Sequence, residues 1–244
     1  MIAVTKFKFN SFEENSYLCW SDGGDGKAVI IDPGCDSDRD YETLKNTIGS
    51  KGLKLAAVLL THAHPDHIYG VGRLCRDYGL PVYMHSGEEL SLKVLGELCR
   101  EIGHVVPDSF RDHINTVEDN EILSFGGLEF MAIATPGHTA GGLCWLCRES
   151  SQTVTVPKGD PAQLFDLGWK ILFSGDTLFA GCIGRSDLPG GDYNCLMQSI
   201  MTRLITLDGR TDVLPGHGKG STIADEGMKN PFLQPFNEPE LESF

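Results

Sequence analysis

Residues 53–60 read LKLAAVLL, with one lysine near the start and apolar side chains at every later position. A strand wetted on one face alternates apolar and polar residues. A run without alternation marks a strand buried on both faces, and such strands sit in sheets covered on each side. The run stops abruptly in Thr61-His62-Ala63-His64-Pro65-Asp66-His67. Ile68, Val71, Cys75 and Tyr78 then recur at helical spacing until Gly79 and Pro81 end the pattern. A buried strand feeding a helix through a polar turn limits the chain to a layered α/β fold.

Other elements follow the same reading. Strand-like runs cover residues 2–9, 16–20 and 28–31, and a turn falls at Asp32-Pro33-Gly34. Tyr41, Leu44 and Ile48 share one helical face, with Gly49 as the stop. A second strand–helix unit runs from residues 81–85 to Leu92, Leu95, Cys99 and Ile102, capped by Gly103. After a polar stretch come strands near 128–135, 143–146 and 170–174. A helix is predicted over 194–204 and a strand over 212–214, and Thr222 with Asp225 opens a short last helix. No linker or short-period repeat divides the chain, so residues 1–244 are expected to form one α/β domain, with an inserted segment at 149–169 and a tail at 231–244.

Composition narrows the function. Acidic residues outnumber basic ones 34 to 20, a net charge of -14 with no lysine or arginine cluster, which argues against nucleic-acid binding. No stretch approaches the roughly 20 apolar residues of a membrane span. The first ten residues, MIAVTKFKFN, lack the pattern of a secretory signal, so a cytoplasmic protein is expected. The eight cysteines then read as reduced thiols, most of them buried among apolar neighbours. Cys144 and Cys147 form a CxxC within a buried strand, where residues three apart face opposite ways, so no metal site is expected there.

The histidines carry the chemistry. His62 and His64 lie two apart in an extended segment and point the same way, and Asp66 with His67 follows where the chain turns into a helix. A rigid strand end thus delivers four potential ligands to one spot. Such crowding gains little unless a cation sits among the groups, so metal binding is the expected role. His138, Asp176 and His217 lie at other predicted strand ends, each beside a glycine. Together with the first cluster they provide enough ligands for two metals.

The segments THAHPDH, TPGHTAGG, LFSGDTLFAG, IGRSDLPGG and LPGHG occur in that order, and through them the chain resembles the metallo-β-lactamase superfamily, in particular its single-domain glyoxalase II-like thioester hydrolases. The resemblance implies a four-layer αββα sandwich of two mixed β-sheets, with a metal site at one edge. It also implies that His62, His64 and His138 hold a first divalent metal and that Asp66, His67 and His217 hold a second. Asp176 would bridge the two beside a bridging hydroxide, and Asp66 and Asp176 would be the catalytic carboxylates. Zinc suits such N/O ligands, and iron or manganese also fits. The implied reaction is hydrolysis of a small acyl thioester resembling S-lactoylglutathione. Antibiotic-degrading relatives look different at the ligand corresponding to Asp176. Only 27 residues follow His217, so the helical domain by which two-domain glyoxalase II enzymes grip glutathione is not expected.

Several residues are open to two readings. Arg185 either pairs with Asp187 or binds a substrate carboxylate. Asp32 is either a turn residue or a hydrogen-bond partner of a ligand histidine. Cys182 reads as buried rather than lining the site, and the 149–169 segment as a surface elaboration rather than a wall of it. His85, His104 and His113 have no partner motif and read as structural or surface residues. IGRSD is also similar to persulfide dioxygenases of the same fold, which use one iron; that is the alternative activity. A non-catalytic metal-binding or interaction protein is the alternative from another class. A small-molecule substrate is the partner expected, and the oligomeric state is open.

Overall fold

The computed structural model describes residues 1–101, 103–150 and 170–234. Ile102, the 149–169 segment beyond Ser150 and the tail beyond Gln234 lie outside the described residues. The first sheet takes its strands in chain order: β1 (Ile2–Phe9), β2 (Glu14–Ser21), β3 (Lys27–Ile31), β4 (Lys54–Leu59), β5 (Val82–His85) and β6 (Ile114–Val117). Its first two pairings are antiparallel and the remaining three are parallel. The second sheet comprises β7 (Ile122–Phe125), β8 (Leu128–Ala134), β9 (Leu143–Glu149) and β10 (Ile171–Gly175), then β13 (Asp212–Pro215) and β14 (Ser221–Thr222). Only its β10–β13 pairing is parallel. A small ribbon joins β11 (Leu178–Phe179) to β12 (Cys182–Ile183).

Three buried layers hold these sheets. Tyr17, Val29, Ile31, Ala57 and Leu59 of the first sheet meet Phe130, Ala132, Trp145 and Phe173 of the second. The outer face of the first sheet, through Ile30, Val58 and Val82, packs under α1 (Asp38–Ser50), α3 (Val71–Tyr78) and α4 (Glu89–Glu101). The outer face of the second sheet, through Cys144, Leu146 and Leu172, packs under α5 (Tyr193–Ser199), its π-helical continuation Ile200–Leu204 and α6 (Ile223–Lys229). The result is an αββα sandwich. Along β4 the alternate residues Ala57 and Leu59 face the inter-sheet core, while Val58 faces the helices. This is why the segment has no polar positions at its buried end. The same alternation puts Cys144 and Cys147 on opposite faces of β9.

The structure corrects some local readings. Helix α1 continues through Gly49 to Ser50, and the left-handed turn comes at Gly52 with φ +64°. The helix expected from Ile68 to Tyr78 is two pieces, α2 (Pro65–Ile68) and α3, and Tyr78 is exposed. Two strands, β6 and β7, hide in the polar stretch, because each ends its sheet and wets much of its surface. All eight cysteines are free and six are buried, but Cys182 and Cys195 are exposed. Cys182 sits in a two-residue strand of the outlying ribbon, too short to bury both faces. Among the described residues no helix is long and apolar enough to cross a membrane.

Candidate metal centre

The strands end at one edge of the sandwich, and their loops carry the polar cluster. His62 and His64 follow β4, and Asp66 and His67 lie on the short α2. Asp176 follows β10, His138 follows β8 and His217 follows β13. The seven side chains that the sequence singled out as ligands converge there.

They form two sets. His138 Nε2 lies 3.3 Å from His62 Nε2 and 2.9 Å from His64 Nδ1. Asp66 Oδ2 lies 3.2 Å from His217 Nε2 and 3.6 Å from His67 Nε2. Asp176 stands between them: Oδ1 is 3.5 Å from His67 Nε2, and Oδ2 is 3.7 Å from His138 Nε2 and 3.6 Å from His217 Nε2.

The backs of the rings decide which nitrogen faces inward. His138 Nδ1 donates to the Arg185 carbonyl at 2.8 Å and His217 Nδ1 to the Phe12 carbonyl at 3.0 Å. His67 Nδ1 donates to Asp32 Oδ2 at 3.0 Å. Carbonyl and carboxylate oxygens only accept, so each Nδ1 carries a proton and Nε2 is the nitrogen turned toward the centre. Asp32 thus takes the second of its two readings. The Thr61 amide and hydroxyl also donate to it, at 2.7 Å and 2.6 Å, so its oxygens are committed to holding the ring rather than a metal.

Burial and charge set the titration. Burial, then the neighbouring imidazoles, hold His62 well below the ordinary histidine value, and burial with His138 brings His64 down to about 3. Burial opposes charge on His67, yet the Asp66 and Asp176 carboxylates outweigh it and lift its pKa well above the ordinary value. Burial would raise Asp176 and Asp66, but the imidazoles around them reverse the sign and keep both low. Two buried atoms in the centre, His67 Nε2 and Asp176 Oδ1, have no hydrogen-bond partner although they face each other. Buried polar atoms left unpaired are costly, and a cation between them would satisfy both. Three groups of three have ligand atoms within 4.8 Å of one another: His62/His64/His138, Asp66/His67/His217, and Asp32/His62/His67, the last with its Asp32 oxygens already taken by Thr61 and the His67 Nδ1. This histidine-rich donor set fits a dinuclear centre of borderline or hard divalent metals.

A cavity of about 500 Å³ opens onto the cluster, with Phe12, Pro65, Leu98 and Leu188 as an apolar wall and Arg185 and Glu101 as charged members beside the Asp66 and Asp176 carboxylates. Arg185 meets the first of its readings, since its guanidinium grips Asp187 at 2.7 Å and 2.9 Å, and it does so at the lining of this cavity. A larger cavity of about 640 Å³ beside Tyr69 contains none of the converging side chains, and its Arg73 and Arg76 are paired with Asp38 and Asp108. His104 braces the site from outside, stacked on Tyr69 with its ring 5.2 Å from that of Phe12. His85 accepts from the Gly87 amide and His113 bonds the Leu80 carbonyl, and neither is among the converging ligands.

Sequence reasoning missed the supports of the His217 loop. Asn15 Nδ2 donates to the Pro215 and Gly218 carbonyls, and the Tyr17 hydroxyl donates to Pro215. Their partners lie about 200 residues away, so no local pattern announces them. Gly216 is tighter still: a Cβ there would lie 2.3 Å from Asp176 Oδ1 and 2.6 Å from His67 Cε1. Gly216→Ala is therefore expected to push the Asp176 carboxylate aside and lower bound metal by about one ion per chain while the fold survives. Elemental analysis beside circular dichroism checks this, and wild-type metal content in the variant would refute it.

An αββα sandwich with two sets of histidine and carboxylate donors at the ends of its strands defines a metallo-hydrolase fold. Residues 11–151 match the family model for the metallo-beta-lactamase superfamily, and the chain belongs to that superfamily. It is 32% identical to hydroxyacylglutathione hydrolase GloC of Haemophilus influenzae, over 91% of this chain and 94% of that one. Two solved structures, each 33% identical, superpose on it. One is the BLEG-1 B3 metallo-beta-lactamase, with TM-score 0.76 over 96% of this chain and all of that one. The other is TTHA1623 in a di-iron-bound form, with TM-score 0.71 over 94% and 100%.

Proposed function

We propose that the chain is a metal-dependent hydrolase of small acyl thioesters resembling S-lactoylglutathione. The observation that carries this is Asp176, whose two carboxylate oxygens reach toward both ligand sets at once. His62, His64 and His138 would hold one divalent metal, Asp66, His67 and His217 a second, and Asp176 both. Zinc, iron or manganese bound there would supply Lewis acidity and bring the acidity of water toward roughly pH 7.

The chain's own residues suit a thioester. His67, His138 and His217 have their Nδ1 protons tied to fixed oxygens and their Nε2 atoms turned inward, so with a metal on each Nε2 these rings would have no proton to lend a departing group. A thiolate, with a parent pKa of about 8.5, departs without one, whereas an amide nitrogen must be protonated. The apolar wall formed by Phe12, Pro65, Leu98 and Leu188 shields the acyl group from bulk water. The similarity to a hydroxyacylglutathione hydrolase supports the same substrate class.

Relatives described as a β-lactamase and as a di-iron protein make three assays informative. Metal content of the purified protein should be near two per chain, with turnover of S-lactoylglutathione. One iron per chain with oxygen uptake on glutathione persulfide would replace this reading by the dioxygenase. Hydrolysis of a cephalosporin without thioester cleavage would replace it by the lactamase.

A further inference from the structure

Glu88 lies in the single turn Ser86–Glu88 between β5 and α4 and is fully buried. A carboxyl group buried so completely needs hydrogen-bond donors around it. Its donors come from loops that follow strands of two different sheets. The amide of Ala63, the residue between His62 and His64, donates to Oε2 at 2.8 Å. The hydroxyl of Thr139, the residue after His138, donates to Oε1 at 2.5 Å, and the Gly141 amide donates to the same oxygen at 3.1 Å. The turn and the His138 loop abut without side chains between them, since a Cβ on Gly87 would meet Gly141 Cα at 2.7 Å. Glu88 belongs to none of the groups of converging ligand atoms among the described residues.

We infer that Glu88 is a positioning residue that clamps the His62/His64 loop to the His138 loop and so sets the three-histidine half of the centre. This rests on the proposed metal site. Two of the clamp's three donors, Ala63 and Thr139, adjoin ligand histidines, where a small shift moves an imidazole directly. Its two amide donors are backbone groups that cannot turn away. Glu88→Gln keeps the shape but replaces one acceptor with an NH2 donor. In one orientation the new donor faces the Ala63 N–H, and in the other the Gly141 N–H. Flipping the amide only moves the conflict.

The test is cobalt(II) titration of the metal-free protein by equilibrium dialysis and visible absorption, with His64→Ala marking which band belongs to the three-histidine site. Glu88→Gln should bind cobalt at least tenfold more weakly at that site, with the other site within about twofold of wild type. Equal weakening at both sites, or none, overturns the assignment, because a merely structural defect would not choose between them. Amide exchange at Ala63 and Gly141, followed without metal, should quicken at least tenfold in the variant. If the wild type takes up no cobalt, the metal centre fails, while unchanged exchange in Glu88→Gln overturns the clamp by itself. If Glu88→Gln does not fold, Thr139→Val removes one bond of the clamp and should weaken the same site about fivefold. Wild-type affinity in that variant overturns the clamp.

Discussion

Replacing Asp176 by alanine is expected to lower thioesterase turnover by at least about a thousandfold, roughly 4 kcal/mol of lost transition-state stabilisation. The side chain stands between the two ligand sets, with oxygens 3.5–3.7 Å from His67, His138 and His217. Its removal leaves His67 Nε2, already without a hydrogen-bond partner, with no carboxylate of Asp176 to share a cation. Metal content should fall in step with turnover, measured on one preparation by elemental analysis and steady-state kinetics. Wild-type turnover in Asp176→Ala would end the two-metal mechanism. Intact metal content with lost turnover would instead move Asp176 from metal holding to the chemical step.

Acid should destabilise the metal-free protein strongly. Unfolded, His64 takes a proton near pH 6.5; folded, burial and the His138 ring delay this to about 3. Across that window the unfolded state binds more protons, so stability falls as pH falls, by up to about 1.4 kcal/mol per pH unit. His62 is shifted the same way and adds to the slope. His67 and His217 are shifted upward, so their contribution is complete below pH 6.5 and is lost only as pH rises through their folded values. They do not oppose the acid loss. Between pH 6.5 and 4.5 His64 alone should account for about 2–3 kcal/mol. Urea midpoints of chelator-treated wild type and His64→Ala test this. The same pH slope in both would show that His64 does not carry the effect.

Much of the centre was legible because its ligands are local. Three histidines and an aspartate within Thr61–His67 mark a metal site wherever the chain goes, and the unbroken apolar run before them gives the strand that holds them rigid. The order of the later His138, Asp176 and His217 motifs gave the family resemblance that joined them to that cluster. Periodicity failed where burial was partial. Strands β6 and β7 end their sheets with mixed exposure, so their sequences do not alternate cleanly. Cys182 looked apolar by its neighbours, yet it lies in a ribbon too small to cover it.

The sequence by itself determined which side chains are available as metal ligands, that they sit at strand ends, and that the strand before the first cluster is buried in a layered α/β fold. These follow from spacing and hydrophobic period within a few residues. Only the tertiary structure decided which nitrogen of each ring faces inward, that Asp32 backs His67, that Asp176 stands between two ligand sets, and that Glu88 spans two histidine loops. Each of these depends on hydrogen bonds or approaches between residues from about 25 to about 200 positions apart, such as Glu88 with Ala63 and Tyr17 with Pro215. A hydrogen bond depends on where two chain segments meet in space, and the stacking of the two sheets sets that meeting.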